Sequence, residues 1–266
     1  MRNAVTFDEL VVAADKVTVT FDSIPPQAVR VHDVTHLPYP EATEIVHRYE
    51  RHGFAVIELV SDAPSPESLM HLARVLGLGE PFIPPLYSLG GAQPKSVSRI
   101  SAARNVDTVD AEHPSFGATV GQELHTDGTL QDIGMVKASL LVCEMAAAEG
   151  GQTTLFNTSA AFATLVERDP SAAVALATPG TLMRQANING STDSNAGPVV
   201  TVLEGHLVCR YSVTATDFWA FPDGVDDCAR KRGQAEQHPG PPPPPPHPPP
   251  RRETAGPAHF FEKNPL

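Results

Sequence analysis

The spacing of apolar residues changes period repeatedly along this chain. Ala42, Ile45, Val46 and Tyr49 recur every three to four positions, which predicts a helix, and Gly53 stands where a left-handed cap would stop it. From Phe54 to Val60 the pattern becomes a compact apolar run with Glu58 as its only charge, which predicts a strand buried on both faces. Ser65-Pro66-Glu67 supplies an N-cap, a proline for the first turn and an early carboxylate. Leu69, Leu72, Ala73 and Leu76 then form the apolar face of a second helix, ended by Gly77. Further strands are expected at Val17 to Phe21, closed by Pro25-Pro26, and around Val97 to Ile100. The latter lies in an otherwise irregular stretch from Pro81 to Gly121, of the kind that lines or covers a site.

The second half alternates similarly. Met135 to Cys143 reads as a strand, and Gly150-Gly151 as a tight turn into another strand, Gln152 to Phe156. Thr158 or Ser159 can cap a helix carrying Phe162, Leu165 and Val166. Strands follow at Thr181 to Gln185, Val199 to Leu203 and Leu207 to Tyr211, the last two joined by a Glu204-Gly205 hairpin turn. This order predicts an α+β protein rather than a pure β-barrel.

Near Cys228 the composition shifts. Ala229 to Gln237 is basic and polar, and Gly240 to Pro250 is almost pure proline interrupted by His247. Such a run lacks the amide donors a sheet needs, so polyproline II or disorder is expected. The expected organisation is one domain over 1–230, incomplete at its C-terminal end, and a disordered Pro-rich tail over 231–266. Two origins for the tail stand side by side. A shifted reading frame in a G- and C-rich coding sequence yields runs of Pro, Arg and Ala, whereas a native Pro-rich tail would serve interaction.

A chain of 266 residues with 41% hydrophobic content can bury a sizeable core. Its formal charge of -12 argues against nucleic acid or anionic membrane as partner and favours a small molecule. Cys143, Cys209 and Cys228 are too few and too scattered for a disulfide framework, which fits a reducing cytosol. Asp8 and Glu9 interrupt any N-terminal signal peptide, and no stretch approaches 18 apolar residues, so a soluble cytoplasmic protein is expected. The oligomeric state is left open.

The richest chemistry lies in Gly121-Gln122-Glu123-Leu124-His125-Thr126-Asp127-Gly128-Thr129. In extended chain, residues two apart point to the same side, so His125 and Asp127 can offer one metal an imidazole and a carboxylate. A second histidine from elsewhere would complete a 2-His-1-carboxylate face with open positions for iron(II) chemistry. Gln122 and Glu123 either orient the ligands or are solvated turn residues.

His-Thr-Asp-Gly-Thr, then an apolar strand, then Gly150-Gly151-Gln152-Thr153 and a helix, resembles the taurine dioxygenase (TauD/TfdA) family of Fe(II)/2-oxoglutarate-dependent oxygenases. The earlier helix leading into His52-Gly53-Phe54-Ala55-Val56-Ile57, and the helix ending Leu76-Gly77, add to the likeness, which covers roughly residues 40 to 220. It implies a double-stranded β-helix (jelly-roll, clavaminate synthase-like) core with flanking helices. It also implies iron(II), 2-oxoglutarate as cosubstrate and molecular oxygen, with no catalytic residues beyond the metal ligands. His125 and Asp127 become the iron ligands and Thr153 the cosubstrate contact, although Thr153 also suits a plain strand position. A carboxylate at Asp127 favours hydroxylation over halogenation, since related halogenases carry a small residue there.

The resemblance further implies a downstream histidine ligand, followed by an arginine that holds the far carboxylate of 2-oxoglutarate. His206 comes too soon and reads as a turn histidine, while His238 and His247 lie in the abnormal tail. His259 has a nearly suitable separation from Asp127, but no arginine follows it. Arg210 could reach the cosubstrate or form a structural salt bridge. The C-terminal strands of the family and their His/Arg pair are therefore expected to be missing. By resemblance the activity is oxidation, with hydroxylation expected, of an amino-acid-like or specialised-metabolite substrate, antibiotic intermediates included. The competing expectation is an inactive remnant or ligand-binding jelly roll.

Overall fold

A computed structural model describes residues 4–18, 27–60, 64–83, 97, 98, 100, 121–186, 191–221 and 258–263. Most of the irregular stretch between Pro81 and Gly121 and most of the Pro-rich tail therefore lie outside the described residues, as do Cys228, His238 and His247. Helices and sheets are mixed, as the alternating periods predict.

The first half packs two helices against a mixed sheet. Strand β1 (Val29–Val31) runs parallel to β2 (Val56–Leu59), which pairs antiparallel with β9 (Ala258–Lys263), and β9 pairs antiparallel with β3 (Ala138–Val142). Helix α2 (Tyr39–His52) stops at Gly53, whose φ of 80° is the left-handed cap expected there. Helix α3 (Pro66–Val75) begins at Ser65, whose side chain accepts from the Ser68 amide. Val31, Ile45, Ala55, Ile57, Leu59 and Leu72 bury their side chains together, with Leu140 of β3 packed alongside. Phe54 to Ile57 and Leu59 are buried as the composition predicts, whereas Glu58 is partly exposed and Val60 faces solvent.

A second core gathers α1 (Phe7–Ala14), α4 (Thr158–Arg168), α5 (Pro170–Ala177), the strand β4 (Leu182–Gln185) and the hairpin of β6 (Val200–Leu203) with β7 (His206–Cys209). Leu10, Phe162, Val166, Ala173, Leu182, Val200 and Leu207 meet in it. Glu204 and Gly205 both have positive φ, 52° and 79°, the two-residue turn geometry that matches strand twist. Lys16 donates to the Gly205 carbonyl at 3.2 Å, tying the end of α1 to that turn. Beside this core β4 pairs with β5 (Ser194–Gly197) on one edge and β8 (Asp217–Trp219) on the other.

Several expectations are corrected. Gln152 to Phe156 is irregular chain rather than a strand. Gly150 and Gly151 both take left-handed φ, 72° and 76°, but no described strand lies alongside to receive the segment. The α4 cap is Asn157, whose side chain accepts from the Ala160 amide, so Thr158 already lies inside the helix. Val17, Thr18, Val97, Ser98 and Ile100 are not in strands, and the rest of those two segments lies outside the described residues. Ala258–Lys263, read from sequence as part of a disordered tail, forms β9. No helix of the described residues is long and apolar enough to cross a membrane.

Candidate metal centre

The His125 to Asp127 turn is set by its middle residue. The Thr126 amide donates to the Tyr211 carbonyl at 2.8 Å, and the Tyr211 amide donates back to the Thr126 hydroxyl at 2.9 Å. Thr126 is thus drawn inward, 5% exposed, just after β7. In extended chain its neighbours then point the other way, and the side chains of His125 and Asp127 are 37% and 46% exposed. Gly128 ends the segment at φ 72°, and a Cβ there would lie 2.4 Å from Cγ2 of Val136, so no other residue fits without displacement.

Among the described residues, each candidate ligand has one polar atom hydrogen-bonded to protein and the other facing its partner in the pair. His125 Nδ1 lies 2.7 Å from the Glu123 carbonyl, which can only accept, so Nδ1 carries the proton and Nε2 keeps its lone pair. Asp127 Oδ2 accepts from the Ser139 hydroxyl on β3. The facing atoms, His125 Nε2 and Asp127 Oδ1, are 3.8 Å apart. Metal bonds to such N and O donors run to about 2.0–2.2 Å, so one ion between them can touch both. The residue types suit two ligands of an iron(II) site, and the two donors would have to draw closer than 3.8 Å to take adjacent octahedral positions.

Among the described residues no third His, Cys, Asp or Glu joins this pair. His259 lies on β9 opposite Val142 and Ile57, whereas the residue opposite Ser139 is Glu262. The His259 backbone is therefore three residues, about 10 Å, along the ladder from the rung that supports Asp127. His206 opens β7 opposite Leu203, beside the hairpin turn. Thr153 is exposed in irregular chain, and Gln122 and Glu123 are also exposed.

Arg210 sits deep in the protein, 3% exposed. Its Nη2 donates to the carbonyls of Leu182 and Asn195 at 3.0 and 2.9 Å, and its Nη1 to Asn195 Oδ1 at 3.1 Å. Asn195 Nδ2 in turn donates to Asp132 Oδ1 at 3.0 Å, which connects the guanidinium to the loop after the ligand turn. Gly197 leaves room for this, since a Cβ there would stand 2.8 Å from Nη1. Burial pulls the Arg210 pKa down, with the charges of Asp217 and Asp132 opposing. Next to it, Arg184 Nη1 reaches both oxygens of Asp217 at 3.1 Å. Burial acts to raise the Asp217 pKa, but hydrogen bonds from Thr214 and Ser212 and the Arg184 charge outweigh it and leave the carboxyl below its ordinary value.

Ser139, Asn195 and the Tyr211 backbone are absent from the sequence reading of the site. Each acts through tertiary pairing, and only Ser139 and Tyr211, both on expected strands, carry any signal. The Ser139 strand was visible, but which of its residues would meet Asp127 depends on register.

The matched family is the taurine catabolism dioxygenase TauD, TfdA family, over residues 19–253. The chain belongs to this family and to its Fe(II)/2-oxoglutarate dioxygenase class. Two relatives bear the name uridine-5'-phosphate dioxygenase. One, from Amycolatopsis sp, is 40% identical over 195 residues, covering 73% of this chain and 70% of its own length. The other, from Streptomyces sp, is 34% identical over 204 residues, covering 75% and 71%. The family match is longer than the likeness read from motifs and runs past Cys228, where the composition changes.

Proposed function

We propose that this chain binds iron(II) through His125 and Asp127, takes 2-oxoglutarate and oxygen as cosubstrates, and oxidises a nucleoside 5'-monophosphate, uridine 5'-phosphate being the first candidate. The observation that carries this reading is the pair of facing donor atoms 3.8 Å apart, each on a side chain whose other polar atom is occupied. Iron bound with its cosubstrates would supply the oxidising power to break an unactivated C–H bond, as 2-oxoglutarate and oxygen give succinate and carbon dioxide and the second oxygen atom goes to the substrate. The chain's own share is to hold the ligands and cosubstrate in place, Thr153 serving as a cosubstrate contact.

The names of both relatives move the substrate from an amino-acid-like compound to a nucleotide. With a formal charge of -12, capture of a phosphate falls to local cations rather than to the overall field. A cytoplasmic step of specialised metabolism, antibiotic biosynthesis included, completes the proposal. Anaerobic titration with iron(II) and 2-oxoglutarate is the test. A visible charge-transfer band, followed in air by succinate formation dependent on uridine 5'-phosphate, is expected. No band at millimolar cosubstrate rejects the reading.

A second reading, an inactive remnant or ligand-binding jelly roll whose distal iron ligand and cosubstrate arginine are lost, is favoured by one observation. No third ligand joins the pair among the described residues. Two ligands alone hold iron weakly, so this reading expects no band.

A further inference from the structure

We infer that Ser139 is a positioning residue for the metal, holding the Asp127 carboxylate so that one oxygen alone faces the ion. The inference rests on the metal-binding reading above. A carboxylate can bind a metal through one oxygen or both, and the two modes consume different numbers of coordination positions. On a three-ligand face the remaining positions must serve a chelating cosubstrate and oxygen, so a two-oxygen Asp127 would occupy one of them. The Ser139 hydroxyl donates to Oδ2, and Oδ1 is the oxygen facing His125 Nε2 at 3.8 Å.

The position of Ser139 is fixed independently of the metal. It lies in the middle of β3, where it pairs with Glu262 of β9, and Leu140 beside it packs on the first core. Asp127 is placed by another device, the Thr126 bonds to Tyr211. Among the described residues, the bond from the Ser139 hydroxyl is the one hydrogen bond recorded to the Asp127 side chain, so its loss frees the carboxylate to rotate while Thr126 stays anchored to Tyr211. His125 is held in a matching way by the Glu123 carbonyl, which no side-chain substitution removes. Of the two hydrogen bonds that the described residues make directly to the side chains of His125 and Asp127, that from Ser139 is the one a substitution can remove.

The test uses the full chain and cobalt(II) alone, under anaerobic conditions, followed by its visible absorption. Ser139→Ala is expected to weaken cobalt binding about 10-fold and alter the band shape, as loss of outer-shell partners does, with the apo melting temperature unchanged. Ser139→Thr, which keeps a hydroxyl, is expected to restore both affinity and spectrum. Equal affinity and identical spectra for the wild type and Ser139→Ala overturn the role of Ser139 and leave the metal centre standing. An affinity loss that Ser139→Thr does not restore, accompanied by a lower apo melting temperature, also overturns it, as a folding effect. If the wild type binds no cobalt at millimolar concentration, both the inference and the metal-binding reading fall.

Discussion

Thr126 and Tyr211, 85 positions apart, bond to each other in both directions, amide to carbonyl and amide to hydroxyl. The threonine between the two candidate ligands is therefore the inward anchor of the turn, buried at 5% exposure while His125 and Asp127 on either side are exposed. Thr126→Val keeps the shape but removes the acceptor of the Tyr211 amide. A partly buried donor that loses its partner costs about 1 kcal/mol. Urea unfolding should show a loss of that size, recovered by Thr126→Ser, and cobalt affinity should fall in parallel.

Arg210 separates two roles that sequence alone left together. Its guanidinium already serves two backbone carbonyls and Asn195, which is the demand of a structural group. Arg210→Met should cost about 2–4 kcal/mol, since several buried acceptors lose a charged donor at once. If Arg210 instead gripped the cosubstrate, the substitution would raise the KM for 2-oxoglutarate while stability held. Thermal melts and a cosubstrate titration on the same variant decide between them.

The local elements were readable where a single residue type forces the backbone. Gly53 and the Ser65-Pro66 start bound their helices as expected, and the apolar run after Gly53 forms a strand buried at Val56, Ile57 and Leu59. Reading failed where pairing decides. Gln152 to Phe156 has strand composition but no partner among the described strands, while Ser194–Gly197 and Ala258–Lys263 have weak or misleading composition and are recruited by their neighbours. Helix α1 was missed although Thr6 and Glu9 spell a capping box, each satisfying the other's amide. In the candidate site, His125 and Asp127 stand out in the sequence because metal chemistry constrains residue type and spacing. Their supports, Ser139 and Tyr211, depend on register, which sequence spacing does not encode.

Acid sensitivity should trace in part to Asp217. Its folded pKa lies below the ordinary value of 3.8, so the folded state favours the ionised form. The stabilisation is complete above the unfolded value and is lost as pH falls from near 4 through the lower folded value. Unfolding free energy measured by urea between pH 6 and pH 2.5 should decline less steeply in Asp217→Asn than in the parent. Equal slopes would mean that Arg184 and the Thr214 amide do not favour the carboxylate.

The two ligand residues should show the reverse balance, with large consequences for chemistry and small ones for folding. Their side chains are more than one-third exposed, and the inward anchor of the segment is Thr126 rather than either ligand. Among the described residues, His125→Ala removes an imidazole hydrogen-bonded to a neighbouring carbonyl and Asp127→Ala a carboxylate hydrogen-bonded to one serine hydroxyl, and either breaks the exposed ion pair between the two. Surface substitutions of this kind stay within about 0.5 kcal/mol. Loss of a direct ligand should exceed the roughly 10–100-fold effect of losing an outer-shell partner. Succinate release should therefore fall by at least about 100-fold in each variant while the apo melting temperature barely moves. Parallel collapse of both quantities would instead make the His125 to Asp127 turn a structural element and remove the basis for placing iron there.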